Sequence, residues 1–167
     1  MKKIILSAAI VSTMFLASCG PSKKDAISYN DQFIGIQKSL IPAYDGFINQ
    51  IDGHNMDSLK VMYGEFSAKS ASALEESQKA QPFAGKTDYK DAAVEYFKTL
   101  NSLAQNEGKQ ILDILSKDTA QITPDDGTNL TLCAGKFDSE YARVFQKIQD
   151  AQMAFSKEWK FDVEESK

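Results

Sequence analysis

The sequence contains one histidine and two cysteines among its 167 residues, which leaves few groups for metal binding or catalysis. Di-iron bundles need paired Glu-x-x-His motifs on facing helices, whereas the single histidine, His54, lies in a predicted turn. The Cys-x-x-Cys-His motif of haem attachment is also missing. The spacings typical of zinc sites, EF-hand loops and Ser-His-Asp catalysis are missing as well. We therefore expect neither enzyme activity nor a cofactor.

Positive charge is also scarce. The chain has 19 Lys and Arg against 23 Asp and Glu, and its only arginine is Arg143. Without residues 1–18, which include two lysines and no acids, 17 basic residues face 23 acidic ones. An acidic chain is a poor ligand for nucleic acid, and it lacks the basic patch that docks proteins on anionic lipid. We expect no nucleic-acid partner.

Long apolar runs are absent except near the N-terminus. Lys2 and Lys3 precede an apolar stretch, 4–15, that is followed by small residues, which is the layout of a secretory signal peptide. About a dozen residues are too few for a helix that must cross roughly 30 Å of hydrocarbon. The stretch ends in Leu16-Ala17-Ser18-Cys19 and Gly20, which resembles the lipobox of bacterial lipoproteins.

This resemblance implies that residues 1–18 are a cleaved signal peptide and that Cys19 carries lipid in a membrane. Residues 19–24 would then form a short tether. Gly20, rather than Asp, after the cysteine favours the outer membrane of a Gram-negative bacterium. Lys23 and Lys24, in place of the acidic run of surface-exported lipoproteins, favour a periplasmic position. With Cys19 lipidated, Cys133 has no partner for an intramolecular disulfide. Its place in an apolar stripe predicts a buried, inert thiol, with a reactive thiol as the alternative.

The rest of the chain predicts four helices, because its apolar residues recur at spacings of three and four. The helices are predicted over 24–51, 56–81, 88–117 and 129–161, with Asn55 capping the second and 162–167 frayed. Pro42 interrupts the first helix, but the apolar pattern continues across it, which predicts a kink near Ser39 rather than a break. Two short helices are the alternative. Similar helices with short connections predict an all-α, antiparallel up-down-up-down four-helix bundle over 25–161.

The leading functional hypothesis is a non-enzymatic, lipid-anchored bundle that binds an envelope protein or stabilises an envelope assembly. The body resembles the small helical-bundle lipoproteins of Gram-negative envelopes, a likeness of architecture that transfers no functional residue. The alternative is a small-molecule pocket between helices one and two near Pro42, lined by Tyr44, Phe47 and Phe66. A carboxylate metal site is a further alternative, because several acids lie on the long helices.

Two smaller features complete the set of candidate sites. The triplets around Ser58 and Thr119, Asp-Ser-Leu and Asp-Thr-Ala, resemble the acceptor pattern of O-glycosylated periplasmic proteins. A few aromatic residues fall outside the predicted apolar stripes, and we consider them as candidates for a groove or a partner surface. These are Tyr63, Phe83, Tyr89 and Phe145.

Overall fold

A computed structural model describes residues 20–53 and 55–163, and within these ranges the chain folds as an all-α four-helix bundle. A π-helical turn over Ala104–Gly108 joins α3 (Asp88–Leu103) directly to α4 (Lys109–Leu115), so that these segments form one continuous third rod. None of the described helices is long and apolar enough to cross a membrane. The helices are α1 (Lys23–Ile51), α2 (Met56–Lys79), α3 (Asp88–Leu103), α4 (Lys109–Leu115) and α5 (Pro124–Trp159).

Ring contacts show that neighbouring rods run in opposite directions. Tyr29, near the start of α1, lies 5.0 Å from Phe83 in the α2–α3 connection and 5.6 Å from Phe155 near the end of α5. Phe47, near the end of α1, lies 5.9 Å from Tyr63 near the start of α2. We call the two ends of the bundle the terminal end (Lys23, Lys79, Asp88, Trp159) and the far end (Ile51, Met56, Leu115, Pro124).

The four rods are not equally close. The backbone of α1 packs along α2, α2 packs along α3, and α3 packs along α5, whereas α1 and α5 approach each other at few points. Aromatic side chains fill this wider seam. Tyr44 of α1 stacks on Tyr141 of α5 at a centroid distance of 4.9 Å, and Tyr141 stacks on Phe145 at 5.5 Å. Bulky rings therefore set the spacing of α1 and α5.

Polar caps fix where the helices begin. Ser22 and Asp25 form a capping box at the start of α1, which places the first helical residue at Lys23, two residues before the predicted start of the bundle at 25. Asn55 caps α2 as predicted, since its side chain accepts a hydrogen bond from the Ser58 backbone N–H at 3.0 Å. Only three residues, 20–22, therefore separate Cys19 from α1.

The prediction that α5 begins at residue 129 is wrong, because the helix begins at Pro124. Proline, glycine and acids between 118 and 128 suggested a loop. However, Thr123 and Asp126 form a capping box, and proline is favoured at the first helical position, where no backbone hydrogen bond is lost. The only helical turn in the α4–α5 connection is a short 3₁₀ segment, Thr119–Gln121.

Pro42 lies inside one continuous helix, which favours the single first helix over two short ones. The kink near Pro42 stays a prediction. The predicted apolar stripes form the core, with Phe33, Leu40 and Phe47 of α1 fully buried. The same is true of Phe66 of α2 and of Phe137 of α5.

Candidate functional site

The π-helical turn places an acid inside the bundle. Glu107 lies in this turn at a position that continues the apolar stripe of the third rod, and its side chain is only 10% exposed. Its Oε1 accepts a hydrogen bond from Nζ of Lys136 on α5, which is more than half exposed. A single π-turn inside an α-helix is uncommon and is often found at functional sites. The π-turn and its buried acid therefore form a candidate functional site.

A groove of about 320 Å³ runs between α3, the π-turn and α5 beside this ion pair. Five of its eight lining residues are charged, three acids and two lysines. They are accompanied by Thr99, Ser102 and Leu103 of the third rod. The charged residues that line it are Glu95, Glu107, Glu140, Lys98 and Lys136.

The acids of the groove are paired with cations. Glu95 accepts a hydrogen bond from Arg143 at 2.7 Å and another from Lys147, and Arg143 also contacts Glu140 at 2.9 Å. The hydrogen bond from Arg143, followed by that from Lys147, holds the pKa of Glu95 below its usual value. The groove therefore offers matched charges to a polar ligand.

Two buried polar atoms have no hydrogen-bond partner among the described residues: Oε2 of Glu107 and the hydroxyl of Tyr96. Burial raises the pKa of Tyr96 far above its usual value, so that this hydroxyl is protonated at neutral pH. Buried polar groups in native proteins are nearly always paired with protein or with water.

Cys133 is buried, as predicted. Its residue is 4% exposed, and its thiol donates a weak hydrogen bond to Oε1 of Gln110 at 3.4 Å. Burial, followed by the negative charge of Glu107, raises the pKa of the thiol. A thiol with a raised pKa forms little of the reactive thiolate, which favours the inert interpretation.

Tyr44, Phe47 and Phe66 come together, as the pocket hypothesis requires. Phe47 and Phe66 are fully buried and stack at 5.7 Å, and Tyr44 meets Phe66 edge-on at 5.5 Å. Direct ring-to-ring contact is the packing of a filled core. This arrangement does not favour a ligand pocket at these three residues, and they line neither the polar groove nor the cavity described next.

The second of these cavities, of about 90 Å³, lies in an aromatic cluster at the terminal end. The ring centroids of Phe83 and Trp159 are 4.9 Å apart, and those of Phe155 and Tyr89 are 5.2 Å apart. Tyr89 is buried and donates a hydrogen bond to Asn30, which makes it a core residue despite its position outside the predicted stripe. The other off-stripe rings also pack against their neighbours, Phe145 on Tyr141 and Tyr63 on Phe47.

The two candidate glycosylation residues lie at the far end. Thr119 is exposed in the 3₁₀ turn, whereas Ser58 is half-buried in the first turn of α2. No three His, Cys, Asp or Glu side chains among the described residues are placed to hold a metal ion together. The predicted signal peptide, Cys19 and His54 lie outside the described residues.

Charge is unevenly distributed along the bundle. We divide the described residues into a terminal half, 20–37, 68–101 and 142–163, and a far half, 38–53, 55–67 and 102–141. The terminal half has eleven Lys and Arg and ten Asp and Glu. The far half has five Lys and eleven Asp and Glu. The excess negative charge of the described residues therefore belongs to the far half.

Comparison of the chain with family models, with curated proteins and with solved structures gave no match.

Proposed function

We propose that this protein is a lipid-anchored envelope lipoprotein, held on the outer membrane of a Gram-negative bacterium through Cys19. It acts as a non-enzymatic helical bundle that binds a protein partner or stabilises an envelope assembly. The observation that carries the partner-binding part is the charge asymmetry, with six excess acids in the far half and a nearly neutral terminal half. An anchor at one end and excess negative charge at the other suit a protein that presents its far end to a basic partner.

The exposed apolar residues support the same orientation. Of the four large apolar side chains that are clearly exposed among the described residues, Val61, Ile122 and Leu132 lie in the far half and only Met153 lies in the terminal half. An interface needs apolar contacts for affinity, and complementary charge for orientation and rate of encounter. The far half offers both kinds of group.

The anchor is tested by metabolic labelling of the full chain with an alkyne fatty acid. We expect the label on the wild type and on Cys133→Ser, and no label on Cys19→Ser. Cys133→Ser is the matched control because it removes the other thiol. Label that persists on Cys19→Ser would place the lipid elsewhere or show non-specific binding.

The partner surface is tested with a photo-cross-linking amino acid placed at Leu132 or at Met153, in intact cells. These two positions are matched, since they lie on the same helix and are 65% and 63% exposed. We expect a discrete adduct from position 132 and none from position 153. The double charge reversal Asp118→Lys/Asp125→Lys at the far end should reduce the adduct, whereas Asp150→Lys should not. An adduct indifferent to the far-end charges would contradict the proposal.

The second candidate function is binding of a small polar molecule in the groove beside the π-turn. The observation in its favour is the combination of the open groove with the ion pair between buried Glu107 and exposed Lys136. Native mass spectrometry of the full chain tests it against the denatured mass of the same sample. Extra mass that is lost on denaturation, and is missing from Glu107→Leu/Lys136→Met, would favour the groove over a protein partner.

A further inference from the structure

We propose that the terminal end of the bundle rests directly on the bilayer that holds the lipid of Cys19, with Phe83 and Trp159 at the level of the headgroups. This inference depends on the proposed anchoring, and it adds an orientation and a second contact surface. Three observations carry it: the shortness of the tether, the balance of charge at this end, and a rigid aromatic platform.

The tether is too short to let the bundle move away. Helix α1 begins at Lys23, and the Ser22–Asp25 capping box closes its first turn. Four chain steps from Cys19 span at most about 14 Å, because an extended chain gains roughly 3.3–3.6 Å per residue. The headgroup layer takes up about 5–8 Å of this distance on each side of a bilayer. The first turn of α1 therefore lies in, or just above, the headgroups.

The charges at this end permit such a contact. The whole chain is acidic, which predicts repulsion from an anionic surface, but among the described residues eleven of the sixteen basic ones lie in the terminal half, so the excess negative charge lies in the far half. Lys23 and Lys24 occupy the exposed first turn of α1, and Lys86 forms an ion pair with Glu158 at 2.6 Å. Among its described residues this end has near-zero net charge, and two lysines follow the anchor closely, so it meets no strong repulsion from lipid phosphates.

The aromatic platform is rigid. Phe83 and Lys86 pair through two backbone hydrogen bonds of 3.1 and 2.9 Å, which close a tight turn over Ala84 and Gly85. The ring of Phe83 lies 5.0 Å from Tyr29 of α1 and 4.9 Å from Trp159 of α5. The turn is therefore fixed to the first and last helices of the bundle.

Phe83 and Trp159 are both half-buried, and their remaining surface is at the terminal end. Trp is enriched at membrane–water interfaces because one part of its ring system is apolar and its N–H finds a polar partner. An end-on contact would hold the far end roughly 40 Å above the headgroups, since the 29 residues of α1 rise about 1.5 Å each. This separation keeps the acidic half away from the lipid.

Trp159 is the only tryptophan of the chain, so its fluorescence reports on this end directly. The lipidated full-length protein is reconstituted into vesicles of phosphatidylethanolamine and phosphatidylglycerol, with and without a lipid that carries a nitroxide on its headgroup. We expect roughly twofold quenching of Trp159, since a ring at headgroup level lies beside the quencher. The control is Ile122→Trp/Trp159→Phe, which moves the probe to the far end and should show almost no quenching.

Two substitutions at Ala84 test the contact without disturbing the core. Ala84 is exposed and has a positive φ of 52°, a conformation that Asn and Asp tolerate well. Ala84→Asp adds a negative charge to the contact surface and should reduce the quenching of Trp159, whereas Ala84→Asn should leave it unchanged. Circular dichroism confirms that both variants are folded.

Flotation of the vesicles separates the possible failures. Protein that does not float with the vesicles would overturn both the anchoring and the end-on contact. Protein that floats without quenching of Trp159 would leave the anchor intact and overturn only the contact. Equal quenching at positions 159 and 122 would mean that the bundle lies on its side, and would also overturn the end-on orientation.

Discussion

Glu107 and Lys136 form an ion pair between the π-helical turn and α5, in which the carboxylate is nine-tenths buried and the ammonium group is largely in solvent. The pair closes one side of the polar groove and lies near the thiol of Cys133. An acid that replaces an apolar residue in the core stripe must keep its partner, because an unpaired buried charge is strongly unfavourable.

The first prediction concerns this pair. Lys136→Met should lower the melting temperature, because Glu107 then stays buried without its counter-ion, and a buried polar group left unpaired costs about 1–3 kcal/mol. The double variant Glu107→Leu/Lys136→Met should recover most of the loss, since apolar residues of similar size can replace a buried ion pair. Thermal unfolding followed by circular dichroism measures both.

The matched control is Lys109→Met. Lys109 pairs with Asp113 at 2.6 Å on the same rod, but both side chains are more than half exposed. Exposed pairs of this kind contribute little to stability, so that the melting temperature should stay nearly unchanged. Equal losses for Lys136→Met and Lys109→Met would mean that the Glu107 pair is an ordinary surface interaction.

The sequence carries a signal for a buried acid at Glu107. Along the third rod the apolar stripe passes from Leu103 and Ala104 to Ile111, and the positions between them on the same face are Glu107 and Gly108. An acid at a stripe position indicates either an exposed break or a buried, paired carboxylate, and the residues alone do not decide between the two. The partner, Lys136, lies 29 residues away on another helix, so only the packed structure identifies it.

The second prediction concerns the start of α5. Asp126 accepts hydrogen bonds from Lys117 at 2.7 Å and from the backbone N–H of Thr123 at 2.9 Å, which lower its pKa to about 2. A carboxyl whose pKa is lower in the folded state than in the unfolded state stabilises the fold above its unfolded pKa. That contribution is lost as the pH falls from about 4 to about 2.

Asp126→Asn should therefore lower the melting temperature at pH 7, and should flatten its decrease between pH 4 and pH 2. Asp125→Asn, at the exposed neighbouring position, is the control and should keep the wild-type pH profile. Thr123→Ala should cost about 1 kcal/mol at neutral pH through loss of the cap. An unchanged acid limb in Asp126→Asn would show that another group controls acid unfolding.

The helices of this chain are predictable from the sequence because most rods bury one regular apolar stripe. The start of α5 was not readable in the same way, since Thr123, Pro124 and Asp126 are equally typical of a loop and of a helix start. What decides between them is local geometry. The Thr123 and Asp126 side chains reach each other's backbone N–H groups, and Lys117 neutralises the acid. The capping box marks the start of α5, and Gly127 lies inside the helix.

The third prediction concerns the turn at the terminal end. Ala84 has a φ of 52° and Gly85 a φ of 77°, the left-handed pair that a two-residue hairpin turn requires. Alanine is strained there and asparagine is favoured, so Ala84→Asn should stabilise the protein by about 0.5–1 kcal/mol. The same substitution at exposed Ala68, inside α2, should instead destabilise by a few tenths of a kcal/mol. Urea unfolding compares the two, and equal effects at both positions would contradict the role of the turn.

The last prediction concerns Cys133, and it separates a structural thiol from a reactive one. In Cys19→Ser, Cys133 is the only thiol. A colorimetric thiol reagent should label it at least roughly 100-fold more slowly in the folded protein than in urea. The reason is that the thiol is buried and its pKa is raised. Glu107→Gln removes the nearby negative charge that contributes to the raised pKa. Burial is the larger cause, so Glu107→Gln should speed the labelling only modestly. Rapid labelling of the folded protein would instead mean that the region between α5 and the π-turn opens often, and that the groove beside Lys136 exposes a nucleophile.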